Sequence, residues 1–255
     1  MLIYTGWIMI ISHYFTAKRF HDFITSNTLS FTQIRHWNSW SKSQKEGVAF
    51  NCFFTKIRNC HCIPNYISSL MLDAVKGAYY AQCWTDKPES SDMWNKFSPN
   101  KNGLLVTFDS NTVFNYIQNG LSSNYYIIDL QNVKYEKAIS VSSNIFETNI
   151  DFNSLAKHFL DKSYEFVYEN ESRYIAYSKN VDIIREMIES KNWDIDRLIS
   201  LINQNPQYIN YDISSSSSII EVTADPRISD NDFYIIKSLC DNINIPIKKS
   251  SLNIS

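Results

Sequence analysis

The chain has 255 residues, of which 44% are hydrophobic and 15% aromatic; its net charge is −2 and it holds 5 glycines. That length fits one large domain or one domain with an appendage, with enough apolar content for a sizeable core. So few glycines argue against Gly-rich phosphate loops, and neither a P-loop nor a G-x-G-x-x-G is present. The slightly acidic balance gives no global basic field to recruit nucleic acid, so such a target requires a local patch.

The N-terminal apolar stretch lacks a charged leader and is too short to span a bilayer. It predicts a buried strand, 8–16, and Thr16 is placed to cap a short helix over 17–26 in which Phe20, Phe23 and Ile24 share a face. A strand over 29–34 follows, then a polar loop over 35–45 with Trp37 and Trp40. Residues 48–54 suit either a strand or a helix. Cys60-His61-Cys62 has metal-ligand residue types, but no second ligand pair accompanies it, so no metal is expected. The five cysteines (Cys52, Cys60, Cys62, Cys83 and Cys240) are odd in number without a secretory signal, which fits a reducing cytoplasm.

Next come a helix over 64–78, a strand over 79–85, and a loop over 86–102 with a helical turn from Ser91 to Phe97. The continuous apolar run 103–109 predicts a buried strand. A helix over 111–120 is expected to close at Gly120. Strands over 125–130 and 133–135 are separated by a Gln131-Asn132 link. Residues 150–161 carry Phe152, Leu155, Ala156 and Phe159 at helical spacing. Helices are expected over 181–193 and 194–203, a loop at Ser214 to Ser218, and a strand over 219–223. Asp225-Pro226-Arg227 reads as a turn whose arginine ties down a closing helix over 230–241, with Phe233, Ile235, Ile236 and Leu239 inward. One domain, 1–245, is expected, with a fraying polar tail over 246–255.

Most of the chemistry lies in Tyr168-Glu169-Asn170-Glu171-Ser172-Arg173. On a strand, Glu169 and Glu171 would point the same way, roughly 7 Å apart. Carboxylates that close raise at least one pKa unless a cation, a sugar hydroxyl or a reacting group uses them. Taken alone, the pair is explained by a solvated strand face with Glu171 bonded to Arg173. Taken singly, His13, Trp84 and Trp94 are also explained as structural residues.

Together these residues point further. His13-Tyr14-Phe15-Thr16 at a strand end, the helix after it, Leu29-Ser30-Phe31, and a late Glu169-x-Glu171 resemble the ADP-ribosyltransferase superfamily. The resemblance implies an α+β fold: an ADP-ribosyltransferase-like split β-sheet core with flanking helices. It implies NAD as substrate and transfer of ADP-ribose to a macromolecule. Glu171 would stabilise the oxocarbenium-like ribose and bind its 2′-OH. Glu169 would orient or deprotonate the acceptor. NAD contacts would come from His13, Tyr14 and Thr16, with Arg35 or Arg19 on the pyrophosphate. Trp84, Trp94 or Phe97 would face nicotinamide or a base.

A second set of blocks is similar to a large uncharacterised bacterial family often associated with phage defence. It includes Gln82-Cys83-Trp84-Thr85, Asp92-Met93-Trp94, Asn102 to Asp109 and Asp225-Pro226-Arg227. This chain departs from that pattern at Asn38-Ser39, where Asn-Asp is expected, and at Asn95-Lys96-Phe97, where His-Tyr is expected. The resemblance implies a cytoplasmic toxin or defence effector with an antitoxin, a chaperone as a further partner, and no membrane. Aromatic residues in 35–45 and 84–97 suit stacking on an unpaired base, which favours RNA or DNA over protein as acceptor. Two alternatives stand beside it: a non-catalytic module binding a nucleotide or phage component, and an NAD glycohydrolase.

Overall fold

The computed structural model describes residues 9–37, 59, 63–136 and 155–254. The fold is α+β, with a central mixed sheet and flanking helices. Strand β1 (Ile10–Thr16) runs into helix α1 (Ala17–Ser26), where the Thr16 hydroxyl accepts from Arg19 N at 3.2 Å, the expected cap. Asn27 then turns the chain in the left-handed conformation, φ 51°, into β2 (Thr28–Gln33). Helix α2 (Asn65–Ala78) leads directly into β3 (Tyr79–Thr85). Helix α3 (Ser91–Phe97) is followed by β4 (Gly103–Asp109), and the Asp109 carboxylate caps α4 (Ser110–Gly120).

Strands β5 (Tyr125–Asn132), β6 (Lys134–Glu136) and β7 (Asp161–Ser163) precede a 3-10 turn (Tyr164–Glu169) and β8 (Glu171–Ser178). Helices α5 (Asn180–Ser190) and α6 (Ile195–Gln204), β9 (Tyr208–Asp212), α7 (Ser215–Ser218), β10 (Ile219–Ala224), α8 (Asp230–Asn242) and β11 (Ile247–Lys249) complete the order. Among the described residues, no helix is long and apolar enough to cross a membrane.

The sheet follows the order β11-β10-β4-β1-β3-β2-β9, with β8 paired to β3 and β5 paired to β8. Strand β8 lies along β3 for the whole of its length, from Tyr79↔Tyr177 to Thr85↔Glu171. The other edge of β3 is shared. β1 touches it at Ser12↔Thr85, and β2 pairs with it at Thr32↔Ala81 and Gln33↔Tyr80. Beyond Ser12, β1 stays on β4, with which it pairs from Ile10↔Asp109 to Thr16↔Gly103. A wedge therefore opens beside residues 82–84 of β3.

Strand β8 is buried on both faces, as its apolar run from Tyr174 to Tyr177 requires. One face gives Tyr174 and Ala176 to a core with Trp84, Phe108, Val113 and Val222; the other gives Ile175 and Tyr177 to a core under α2, α5 and α6.

Several expectations change. Gln131 and Asn132 lie inside β5 and pair with Arg173 and Ser172, so they are not a link. Helix α4 does end at Gly120, but without a left-handed cap; a Cβ there would sit 3.1 Å from Tyr211 Cβ, so the glycine serves close packing against β9. Ser215–Ser218 is a helical turn, not a loop. Residues 247–249 do not fray: β11 pairs in parallel with β10, and Ser250 N donates to Ala224 O at 2.9 Å. Ile235 points outward, 54% exposed, while Ile236 and Cys240 face the core. The N-terminal residues 1–8, Asn38-Ser39, Trp40, the 48–54 segment, Cys60-His61-Cys62 and Phe152 lie outside the described residues.

Candidate functional site

The wedge between β1 and β3 opens into a cleft of about 530 Å³. His13, Tyr14, Trp84, Phe97, Glu169 and Glu171 all line it. A second cleft of about 690 Å³ adjoins it and shares His13, Arg19, Trp37 and Cys83.

His13 sits where β1 leaves β3. Separating two strands frees backbone groups that must find partners. His13 Nδ1 donates to the Cys83 carbonyl at 2.8 Å, which replaces the lost strand contact. Burial holds the imidazole below its ordinary pKa, despite that bond. The ring is thus neutral at pH 7, and Nε2 is left as an acceptor for a hydroxyl.

Opposite His13, residues 83 and 85 of β3 and residues 171 and 173 of β8 share the sheet face that further along carries Tyr79 and Tyr177. The registers Cys83↔Arg173 and Thr85↔Glu171 bring the polar residues together. At this end the small parallel β6–β7 sheet lies against the polar residues. That sheet supplies two supports in register, Tyr135 and Lys162.

Glu171 is fixed at every polar group. Its N–H donates to Tyr135 Oη at 2.7 Å, and its carbonyl accepts from Val133 N at 2.8 Å. Arg173 grips the carboxylate with two bonds, Nε to Oε1 at 2.7 Å and Nη2 to Oε2 at 2.9 Å. Lys162 Nζ adds a third bond, 2.9 Å from Oε2. Burial alone would raise this carboxyl's pKa; Arg173 and Lys162 outweigh it and hold Glu171 well below the usual range. It is ionised at any physiological pH. The Cys83 thiol, hydrogen-bonded to Glu171, is pushed well up by burial and by that carboxylate.

Glu169 does not share a strand with Glu171, contrary to expectation. It ends the 3-10 turn, and Asn170, left-handed at φ 42°, separates it from β8. The two carboxylates converge because Lys162 bridges them, its Nζ also 2.9 Å from Glu169 Oε2. Lys96 of α3 bonds the other Glu169 oxygen. The result is a chain of alternating charges, Lys96–Glu169–Lys162–Glu171–Arg173, four of them nearly excluded from water.

The aromatic candidates separate by position. Tyr14 stacks on Phe97 at 5.3 Å and meets the edge of Trp94 at 5.1 Å. Trp94 is fully buried, bonds Glu89 through Nε1 at 2.9 Å, and backs Tyr14 without lining the cleft. Trp84 lines the cleft but belongs mainly to the core, edge-on to Phe108 and Tyr174. Arg35 turns to the Ile202 carbonyl, 3.4 Å away on α6, and does not line the cleft; Arg19, the other arginine considered, lines both clefts. Thr16 caps α1, which carries Arg19. Arg227 ties down α3 and not the last helix: it bonds Asn95 Oδ1 at 2.7 Å and reaches the Trp94 and Ser98 carbonyls, while gripping buried Asp225.

Lys96, Lys162, Tyr135 and Cys83 escaped sequence reasoning as site residues. The only signal was indirect: two carboxylates so close demand cations, and Arg173 alone supplies one of the three found. No group of metal-ligating side chains occurs among the described residues.

Residues 93–174, from α3 to the start of β8, match a family model described as a protein of unknown function (DUF2971). That span contains Lys96, Lys162, Glu169, Glu171 and Arg173. Neither the curated proteins nor the solved structures contain a match.

Proposed function

We propose that the protein is an NAD-dependent ADP-ribosyltransferase that modifies a macromolecule. The observation that carries this reading is the wedge itself: two sheet halves meeting at one ladder pair, with neutral His13 on one lip and ionised, fully braced Glu171 opposite. A split sheet of this kind is what the ADP-ribosyltransferase resemblance implies. Cleaving the bond between ribose C1′ and nicotinamide develops positive charge on the ribose. A carboxylate fixed beforehand stabilises that charge without reorganising during the reaction. His13 Nε2 is placed to accept from a ribose hydroxyl. Arg19 serves the pyrophosphate in place of Arg35. A role as a cytoplasmic toxin or phage-defence effector, with an antitoxin and a chaperone as partners, rests on the sequence resemblance alone.

A second reading has one observation in its favour. Both Glu171 oxygens are already engaged by Arg173 and Lys162. A braced, neutralised carboxylate also suits a non-catalytic module that binds a nucleotide or phage component.

Wild-type and Glu171→Gln protein, each checked for folding by thermal melting, would be incubated with labelled NAD and bacterial lysate. Transfer of label to a macromolecule is expected, reduced at least about a hundredfold by the substitution, the usual scale for losing one charge-stabilising group. Free ADP-ribose alone would identify a glycohydrolase. No NAD consumption would leave the binding module.

A further inference from the structure

Around Glu171, the lining of the cleft carries a charge pattern with consequences for the acceptor. Among the described lining residues, four cationic side chains (Arg19, Lys96, Lys162 and Arg173) face two carboxylates. The chain as a whole has the opposite balance, net −2. A local excess of one sign against the global charge is a recognition feature, because it repels the wrong partner as well as attracting the right one. Both Glu169 oxygens are taken by ammonium groups, Lys96 and Lys162. A guanidinium approaching Glu169 therefore meets two like charges first.

Lys96 reaches the rim, its side chain 32% exposed. Next to it Phe97 is 36% exposed and is backed by Tyr14, stacked on it with the ring planes 21° apart. A cation beside an exposed, supported ring matches the alternation of phosphate and base in an unpaired strand.

We propose that the acceptor is a single-stranded nucleic acid, with Lys96 against a backbone phosphate and Phe97 under a base, and that Lys96 sets this specificity against arginine side chains. The chemical part rests on the transferase reading; the binding part does not. In the step, the C1′–nicotinamide bond breaks with its electron pair leaving on neutral nicotinamide. A lone pair of the nucleic acid forms the new bond to C1′, and the displaced proton passes to water.

The test is fluorescence anisotropy of a short labelled single-stranded oligonucleotide across a potassium chloride series. Wild type should bind with salt-dependent affinity. Lys96→Gln, which removes the charge and keeps a polar side chain, should flatten the log–log salt slope by about 0.7, the share of one phosphate contact on a single strand. Phe97→Ala should weaken binding about tenfold, and Lys96→Glu should abolish it. Binding without salt dependence, or unchanged by Lys96→Glu, overturns the proposal.

The same proteins would receive labelled NAD with either the oligonucleotide or agmatine, a guanidinium acceptor. Labelled agmatine overturns the specificity; labelled oligonucleotide supports it. Oligonucleotide binding with no NAD consumed sustains the binding inference and sinks the transferase reading. NAD consumption without oligonucleotide binding does the reverse.

Discussion

Glu169 and Glu171 are 4% and 6% exposed, and Lys162 stands between them. Buried ions are tolerated when paired and are costly when a partner is removed. Lys162→Met should therefore destabilise the fold by about 3 kcal/mol, and Lys162→Arg should recover part of that loss; chemical denaturation measures both. The pH dependence follows from Glu171. Its native pKa lies below the unfolded value, so the stability it contributes is present above about pH 4.5 and is lost as pH falls toward the native value. Glu171→Gln should lower the melting temperature at pH 7 and flatten its decline in acid. Burial lowers the His13 pKa, and the sign is the same: stability is lost as pH drops below 6.5.

At the scale of elements, α3 decides where Lys96 and Phe97 stand, and two devices hold it. One is the Asp225–Arg227 pair at its C-terminal end. The other is Gly103, whose N–H donates to Ser98 Oγ at 2.8 Å, with Ser98 Cβ only 2.6 Å from where a Gly103 Cβ would lie. Gly103→Ala should cost about 1–3 kcal/mol through overpacking and displace the end of α3, which oligonucleotide affinity and thermal melting would register together.

The sequence showed this element and most others through local signals: Thr16 as a cap, apolar spacing in α2, and the apolar run of β4. It could not show what depends on distant partners. Gln131 and Asn132 look like turn residues, yet β8 supplies an edge that keeps them in a strand. Residues 247–249 look like a tail, yet β10 offers them an open edge. Within the cleft, His13 and Glu171 could be singled out in the sequence because their residue types can carry chemistry. Lys162 was not, because only the β6–β7 pairing brings it to Glu171.

Across the whole molecule, burial is concentrated on β3 and β8 and thins toward β9 and β11. Hydrogen exchange tracks the cost of local opening. Amides of Tyr174, Ile175 and Ala176 should exchange last, and those of β9 and β11 first, in native-state exchange read by mass spectrometry. The single pair Ser12↔Thr85 means that the cleft can widen or narrow with few ladder bonds at stake.

The lips of the cleft come from strands far apart in the chain: Ile10–Thr16, Tyr79–Thr85 and Glu171–Ser178. During synthesis these appear one after another, and the outer edge of β2 is covered only when β9 follows. A nascent chain that has emerged only as far as Asn170 possesses both lips of the wedge, with His13, Lys96, Lys162 and Glu169, but not β8, which carries Glu171 and Arg173. A chain cut before Glu171 therefore cannot complete the cleft, however well its earlier strands pair.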